Sequence, residues 1–445
     1  MFLFRVKALN EFIMLNAKVF VKSFGCSTNL ADGEVLAGCL AKAGFNLSHS
    51  VATADLVVYN TCAVKGPTEN RIIEILKRVP SGKKLIVAGC LPLINFERLS
   101  KEVSFSGVVG PAAGEKIVEV VKRVLNGERI IALKDASNSK PSLSLPRLRL
   151  NPVISIIPVS YGCLGSCAYC CVVHARGHLR SYDVQEVTER VKCDLQMGVR
   201  EFWVTSQDVA CYGRDKGTNL AELLDGICNV EGDFRVRVGM MTPNMAADIL
   251  DDLIEAFKNE KIYKFIHLPV QSGDDKTLER MCRFYCVDDF KRIVNVFRDT
   301  FSNVTISTDV ICGFPSEDND AFENTLRLIR NVKPDIVNVS KFFARPRTEA
   351  AKMSRDFVPF AEIKKRSSIV AELARKIAFE RNQQWIGWTG PILIDEVGKI
   401  SGSWIGRNFA YKPIVMQRRS NILGKVLKVK VVKAFSTHLE GEVIE

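Results

Sequence analysis

Short apolar runs alternate along the chain with stretches whose apolar residues recur at helical spacing. AKVFVKSFGC, DLVVYNTC and KKLIVAGC are β-rich and end at Cys26, Cys62 and Cys90. Helix-like segments, DGEVLAGCLAKAG and TENRIIEILKRV, follow the first two, and EKIVEVVKRVLNG comes after a GVVG strand. Strand–helix alternation at this pitch predicts a doubly wound parallel sheet over residues 1–133. The pattern repeats over 152–382, where VISIIPVS, EFWVTS, FRVRVGM, KFIHLPV, VTISTDVI and DIVNVSKFF are separated by amphipathic helices. Six such units suit a partial (β/α)6 barrel, closed by the long helical stretch AEIKKRSSIVAELARKIAFERNQQW. Residues 383–445 lose the helical period, and their short strands between Gly and Asn turns predict a small all-β barrel. The segment 134–151, rich in Ser and Pro, reads as an extended, mobile linker. The fold class is α/β throughout, apart from the last barrel.

Composition narrows this picture. A chain of 445 residues suits two or three domains, and 47% hydrophobic with 25% charged residues excludes a mostly disordered or collagen-like chain. No apolar run reaches the ~18 residues of a membrane helix, and no C-terminal membrane tail is expected. Arg5, Lys7 and Glu11 break the apolar N-terminus, which is poor material for a secretory signal. Met14 is a second candidate start, just before the first strand. The expected location is the cytoplasm. Lys and Arg number 62 against 50 acids, a net charge of +12, which points to a polyanion. Arg418, Arg419, Lys425, Lys428, Lys430 and Lys433 concentrate charge in the last region. Alternation in KVLKVKVVK puts several lysines on one face, and Trp404, Phe409 and Tyr411 nearby are candidates for stacking on RNA bases. A solvated strand face that blocks edge pairing is the plainer reading.

Fourteen cysteines without a secretion signal are thiols available for metal or chemistry. The sharpest pattern is YGCLGSCAYC, with Cys163, Cys167 and Cys170 spaced C-x3-C-x2-C directly after a strand. Soft thiolates select zinc or iron–sulfur. A structural zinc needs four ligands, and Cys171 is too close to Cys170 to bend to the same metal. Three ligands around a four-iron cubane leave one iron open to a chelator. Cys26, Cys62 and Cys90 end parallel strands, so their thiols converge at one sheet edge. They form either a second cluster site or three buried thiols acting as small hydrophobes.

C-x3-C-x2-C with an aromatic before the last Cys resembles the radical S-adenosylmethionine superfamily. Together with KSFGCSTNLADGE, NTCAVKGPTENR, AGC, TSQDVACYGRD, HLPVQSG, STDVICGFPSE and FFARPRT, it is similar to the methylthiotransferase family. CCVVHARGHLRSY and RFYCVDDFKRIV resemble its archaeal and eukaryotic branch, which acts on N6-threonylcarbamoyladenosine beside the tRNA anticodon. The resemblance covers nearly all the chain after residue 16. It implies an N-terminal cluster domain, a radical core and a C-terminal TRAM domain. It implies two 4Fe-4S clusters, one on Cys163, Cys167 and Cys170 and an auxiliary one on Cys26, Cys62 and Cys90. One S-adenosylmethionine is expected to yield the radical that removes hydrogen from adenine C2. The auxiliary cluster passes on sulfur, and another S-adenosylmethionine supplies the methyl group. The implied partners are tRNA, an electron donor such as a flavodoxin or ferredoxin, and a sulfur source. Isopentenyladenosine in tRNA and a ribosomal-protein aspartate are alternative targets within the family. A non-catalytic, zinc-stabilised RNA-binding protein is the alternative outside it.

Polar residues at strand ends are candidate contacts for S-adenosylmethionine or substrate: Ser206, Gln207 and Asp208, then Gln271 and Ser272, and Asp309. Each is equally suited to capping a turn. Arg176 and Arg180 are candidates to pair with a carboxylate or phosphate. His174 and His267 read as hydrogen-bonded structural histidines rather than ligands. Most other cysteines are expected to be buried and inert. Cys282 and Cys286, four apart, would share a helical face.

Overall fold

A computed structural model describes residues 17–418 and 420–444. The two candidate starts, the apolar N-terminus and Arg419 lie outside the described residues. The first sheet holds β1 (Lys18–Ser23), β2 (Asn46–Leu47), β3 (Leu56–Thr61), β4 (Lys84–Gly89), β5 (Gly107–Val109) and β6 (Ile130–Ala132). All its pairings are parallel, in the order β2-β1-β3-β4-β5-β6. Every position of β3 is buried, as its unbroken apolar run requires. Apolar side chains pack on both faces, so the sheet is doubly wound, as expected.

The helix Ser27–Lys42 is buried along most of its length, including Asn29, Asp32 and Glu34. One side packs on its own sheet, and Ala31 meets Ile154 and Ile156 of the next sheet. Helical periodicity shows one apolar face and could not reveal this second, more polar contact.

The central strands are β7 (Ile154–Pro158), a short hairpin β8 (Ser160–Tyr161) with β9 (Arg180–Ser181), then β10 (Glu201–Thr205), β11 (Arg235–Val238), β12 (Phe265–His267), β13 (Thr305–Cys312) and β14 (Ile336–Lys341). Two parallel three-stranded sheets, β11-β10-β7 and β12-β13-β14, meet through bridges from Val236 to Ile262 and from Met240 to His267. The six predicted strands therefore form one curved, open wall. The helix Phe360–Gln383 packs against β14. A closed barrel of β15 (Thr389–Val397), β16 (Ser403–Arg407), β17 (Pro413–Gln417), β18 (Val426–Ala434) and β19 (Leu439–Val443) follows.

The segment between the first two sheets is no free tether. Leu143 is buried in the core of the half-barrel, and Leu145 packs on the first sheet. Arg149 pairs with buried Asp194 at 2.8 Å, and Leu148 N donates to Glu34 O at 2.9 Å. Few residues separate its apolar positions, so composition alone hid a strap that fastens two domains. Tyr411 also departs from expectation. It packs against Tyr263 and Phe265, with ring centroids 4.8 and 5.3 Å away, and fills the seam between half-barrel and barrel instead of facing a base. Lys412, beside it, pairs with buried Asp335 at 2.8 Å. On β18 the lysines do fall outward: Lys428 and Lys430 alternate with buried Val429 and Val431. Among the described residues no helix is long and apolar enough to cross a membrane.

Leu143→Ala should lower stability by about 2–5 kcal/mol, the usual range for emptying a buried leucine site. Denaturant titration checks this. A change under about 0.5 kcal/mol would mean the strap is not anchored as described.

Candidate functional site

Sheet order explains how the first thiols meet. β1, β3 and β4 are consecutive neighbours, and Cys26, Cys62 and Cys90 stand just past their carboxyl ends. Strand order reverses beside β1, which opens a crevice there. Glycine is required before two of these cysteines. A side chain on Gly25 (φ +106°) would lie 2.4 Å from Cys62 Cβ, and one on Gly89 (φ +93°) would lie 2.3 Å from Thr61 O. The backbone thus turns sharply and closely at the sheet edge, which is why the runs end in Gly-Cys.

Cys163, Cys167 and Cys170 occupy the loop after β8. All six cysteines line one cavity of about 560 Å3. Arg283 Nη1 donates to Cys167 Sγ at 3.2 Å, and Gly165 N approaches Cys163 Sγ at 3.2 Å. Among the described residues, no three His, Cys, Asp or Glu side chains are arranged to hold a single metal ion. Four-coordinate zinc gathers its ligands at ~2.3 Å around one point. Thiols that do not gather round one point suit a polynuclear cluster, in which each thiolate takes its own iron.

Arg176 links the two trios. It ends the short helix Val172–Arg176 behind the second cysteine loop, yet reaches the first sheet. Its guanidinium pairs with Asp32 Oδ2 at 2.7 Å and donates to Asn29 Oδ1 at 3.1 Å. Tyr161 OH donates to Asp32 Oδ1 at 2.7 Å. All this is buried, and the positive charge faces the thiols of Cys90 and Cys26. The expected carboxylate partner of Arg176 is therefore internal. Arg180 binds backbone carbonyls of Ser137, Ser139 and Arg176 instead of an acid.

Burial pushes the Cys90 thiol up to about 12, against the pull of Arg176. Burial also raises Cys62 and Cys170. A hydrogen bond from Cys211 holds Cys163 below the usual thiol range, with burial opposing.

The other predicted residues divide. Ser206, Gln207, Asp208, Gln271 and Asp309 line the cavity. Gln207 Oε1 accepts from Gly162 N at 2.7 Å and so braces the cysteine loop. The Asp208 carboxylate is engaged by Ala210 N and Thr242 N at 3.1 Å each and by the Thr242 hydroxyl. Asp309 Oδ1 bonds to His267 Nε2 at 3.0 Å and accepts from Asn338 Nδ2 at 2.7 Å. His267 is thus hydrogen-bonded, as expected. His174 Nε2 likewise bonds to Arg347 O at 2.9 Å. Gln271 has φ +68°, a costly left-handed value for this residue, and its amide enters the cavity. Ser272 does not line the cavity. After the turn at Gln271 it is buried, with its hydroxyl 3.5 Å from Thr325 Oγ1 and accepting from Asp274 N at 3.2 Å. Cys282 (φ +55°) lines the cavity before a turn, and Cys286 caps the next helix, so they do not share a helical face. Sequence reasoning missed Arg283, Arg237 and the rim residue Phe284, 72% exposed. Arg283 and Phe284 open the stretch RFYCVDDFKRIV, which carried the resemblance without assigning either a role, and nothing local separates Arg237 from a surface residue.

Comparison with known proteins agrees with this geometry. Residues 157–329 match the radical SAM superfamily, 18–110 an uncharacterized family, UPF0004, and 383–444 the TRAM domain. The solved radical S-adenosylmethionine methyltransferase TsrM of Kitasatospora setae shares the fold, with a TM-score of 0.56 at 14% identity over 91% of this chain and 80% of that one. The half-barrel with its cysteine loop is thus of the radical SAM class. The probable threonylcarbamoyladenosine tRNA methylthiotransferase of Pyrococcus abyssi is 42% identical over 96% of this chain and 99% of the relative. The threonylcarbamoyladenosine tRNA methylthiotransferase of Drosophila melanogaster is 36% identical over 96% of this chain and 78% of the relative. The chain belongs to the threonylcarbamoyladenosine tRNA methylthiotransferase family.

The thiol environments give an order of reactivity. In protein stripped of metal, Cys163 should be alkylated at lower pH than Cys90, because only the thiolate attacks. Iron uptake by the Cys26, Cys62 and Cys90 set should release protons and tighten as pH rises toward the raised values of Cys62 and Cys90. Mass spectrometry of alkylated peptides across pH checks the order, and equal onset at both sites would contradict it.

Proposed function

We propose that this enzyme methylthiolates C2 of N6-threonylcarbamoyladenosine at position 37 of tRNA, giving the 2-methylthio derivative. The observation that carries the reading is the single cavity lined by both cysteine trios. One nucleobase can meet both there. Cys163, Cys167 and Cys170 hold one 4Fe-4S cluster beside S-adenosylmethionine, and Cys26, Cys62 and Cys90 hold the auxiliary one. Together these groups supply the radical, sulfur and methyl chemistry that no side chain can bring to an unactivated C–H bond.

The chain's own part is to bind, orient and exclude water. Arg283 donates toward Cys167, and Arg176 places a buried positive charge beside Cys26 and Cys90. Both put positive charge beside the thiols that would carry a cluster, and Arg176 offsets part of the burial cost at Cys90. Gln271, Ser206 and the Asp309–His267 pair offer polar contacts at the strand ends for S-adenosylmethionine or the nucleoside. Gln207 and Asp208 act at one remove by fixing the loops that carry them. The chain divides into a cluster domain to residue 133, the strap, a radical core over 152–382 and the TRAM barrel. The outward lysines of β18 suit a phosphate backbone. An electron donor of the flavodoxin or ferredoxin kind and a sulfur source complete the system, which we place in the cytoplasm.

Nucleoside analysis of tRNA from a host expressing the protein tests the reading. The methylthio product should appear with the parent and vanish with Cys163→Ala or Cys62→Ala. Each variant should keep about four of about eight irons, one cubane of two. Product from both variants at the parental level would refute the ligand assignment. A second measurement concerns the barrel. Lys425→Gln with Lys430→Gln should flatten the salt dependence of tRNA binding by about 0.7–0.9 in log–log slope per lost phosphate contact. An unchanged slope would remove Lys425, just before β18, and Lys430 on it from the RNA interface.

A further inference from the structure

Beyond the cluster cavity the half-barrel holds a second cavity of about 720 Å3, running between its inner wall, the helix Phe360–Gln383 and the C-terminal barrel. The two cavities share two lining residues, Arg237 and His267. His267 is committed to Asp309. The Arg237 charge is felt by buried Glu201 and by Tyr411, but neither bonds to it. Its guanidinium makes no hydrogen bond and no ion pair among the described residues, and its Nε is buried without a partner. The charge lies 5.3, 5.1 and 5.4 Å from the ring centroids of Trp203, Phe265 and Tyr411. The nearby buried acid, Glu201, is occupied by Trp203 Nε1 at 2.6 Å and by Tyr263 OH at 2.9 Å. Thr305 Oγ1, also buried without a partner, lines the second cavity. A half-buried guanidinium that lines two cavities and has no hydrogen-bond acceptor of its own suits an absent anionic ligand.

We infer that Arg237 is the carboxylate-reading residue of the substrate site: its guanidinium receives the terminal carboxylate of the amino-acid arm on N6 of the adenosine. This rests on the function proposed above. C2 and the carbon bearing N6 flank the same ring nitrogen. With C2 turned to the two cysteine trios, the arm runs on into the adjoining cavity, where Arg237 stands at the junction. A carboxylate accepts a planar guanidinium fork through two parallel hydrogen bonds, which an ammonium cannot reproduce. Three rings lie at cation–π distance from the guanidinium, and their apolar surface strengthens the pairing relative to open water. Thr305 offers its hydroxyl to the rest of the arm. An adenosine with an apolar N6 arm would cover the guanidinium without giving it an acceptor, and that penalty is the source of selectivity.

The test uses the anaerobically purified holoenzyme and two anticodon stem-loop RNAs, one bearing threonylcarbamoyladenosine and one its carboxylate methyl ester. Fluorescence anisotropy reads binding, and nucleoside analysis reads product. The parent should bind the acid about tenfold more tightly than the ester, the worth of a charge-assisted hydrogen-bonded pair. Arg237→Met should bind both alike, with unchanged iron content as the check on folding. Arg237→Lys keeps the charge without the fork and should fall between them. No preference in the parent, or the parental preference retained in Arg237→Met, overturns the carboxylate site. If the parent, loaded with both clusters, methylthiolates neither RNA, the activity reading itself fails; if it modifies the acid while Arg237→Met keeps the parental preference, only the site fails.

Discussion

Taking an arginine and an aspartate out of water is costly, and the pair between Arg176 and Asp32 recovers that cost only with nearly ideal partners. Asn29 takes another donor of the guanidinium and Tyr161 caps the other carboxylate oxygen, while Arg176 Nη1 and Asp32 Oδ2 meet as a close ion pair without a hydrogen bond. Two partners come from the helix after Cys26 and two from the strand and helix around the second cysteine loop. The network therefore forms only when the first sheet and the half-barrel are in one relative position. That position turns the carboxyl edges of both sheets toward one cavity. The motif KSFGCSTNLADGE gains a physical meaning here, because Cys26, Asn29 and Asp32 serve one site from a loop and a single helix face.

The cysteines were legible in the sequence because each trio carried its own geometric signal. Three thiols ending three parallel strands must share an edge, and C-x3-C-x2-C after a strand must sit at the mouth of a barrel. The six central strands were equally plain as apolar runs between amphipathic helices. Strand-end polar residues were harder. Gln271 and Ser272 are neighbours, yet the left-handed backbone at Gln271 sends Ser272 into the protein. Asp208 lines the cavity with its carboxylate already engaged. Tyr411 looked like a stacking platform because sequence does not reveal a barrel packed against the half-barrel. Arg237 was invisible for a related reason. In RVRV, alternation puts Arg235 and Arg237 on one face of β11 but does not say whether that face meets solvent or the interior of the fold.

The C-terminal barrel emerges with two faces. Tyr411 and Lys412 turn inward to close the second cavity, while the lysines of β18 point away. A single small domain thus supplies part of the wall of a buried chamber and a basic exterior. That division reconciles a long-range attraction for a polyanion, which is strong but unspecific, with short-range discrimination inside the fold.

The strap has a mechanical implication. A segment whose Leu143 is locked in one core, and whose neighbour Leu145 lies on the other, stitches the two sheets together along a seam. Hinge opening at this seam would have to unpick a leucine, an ion pair and backbone hydrogen bonds at once. The spacing between the two thiol sets is thereby set during folding, not by ligand arrival. Whatever movement brings an adenine into the chamber then belongs to the RNA, which must unstack and swing its base inward.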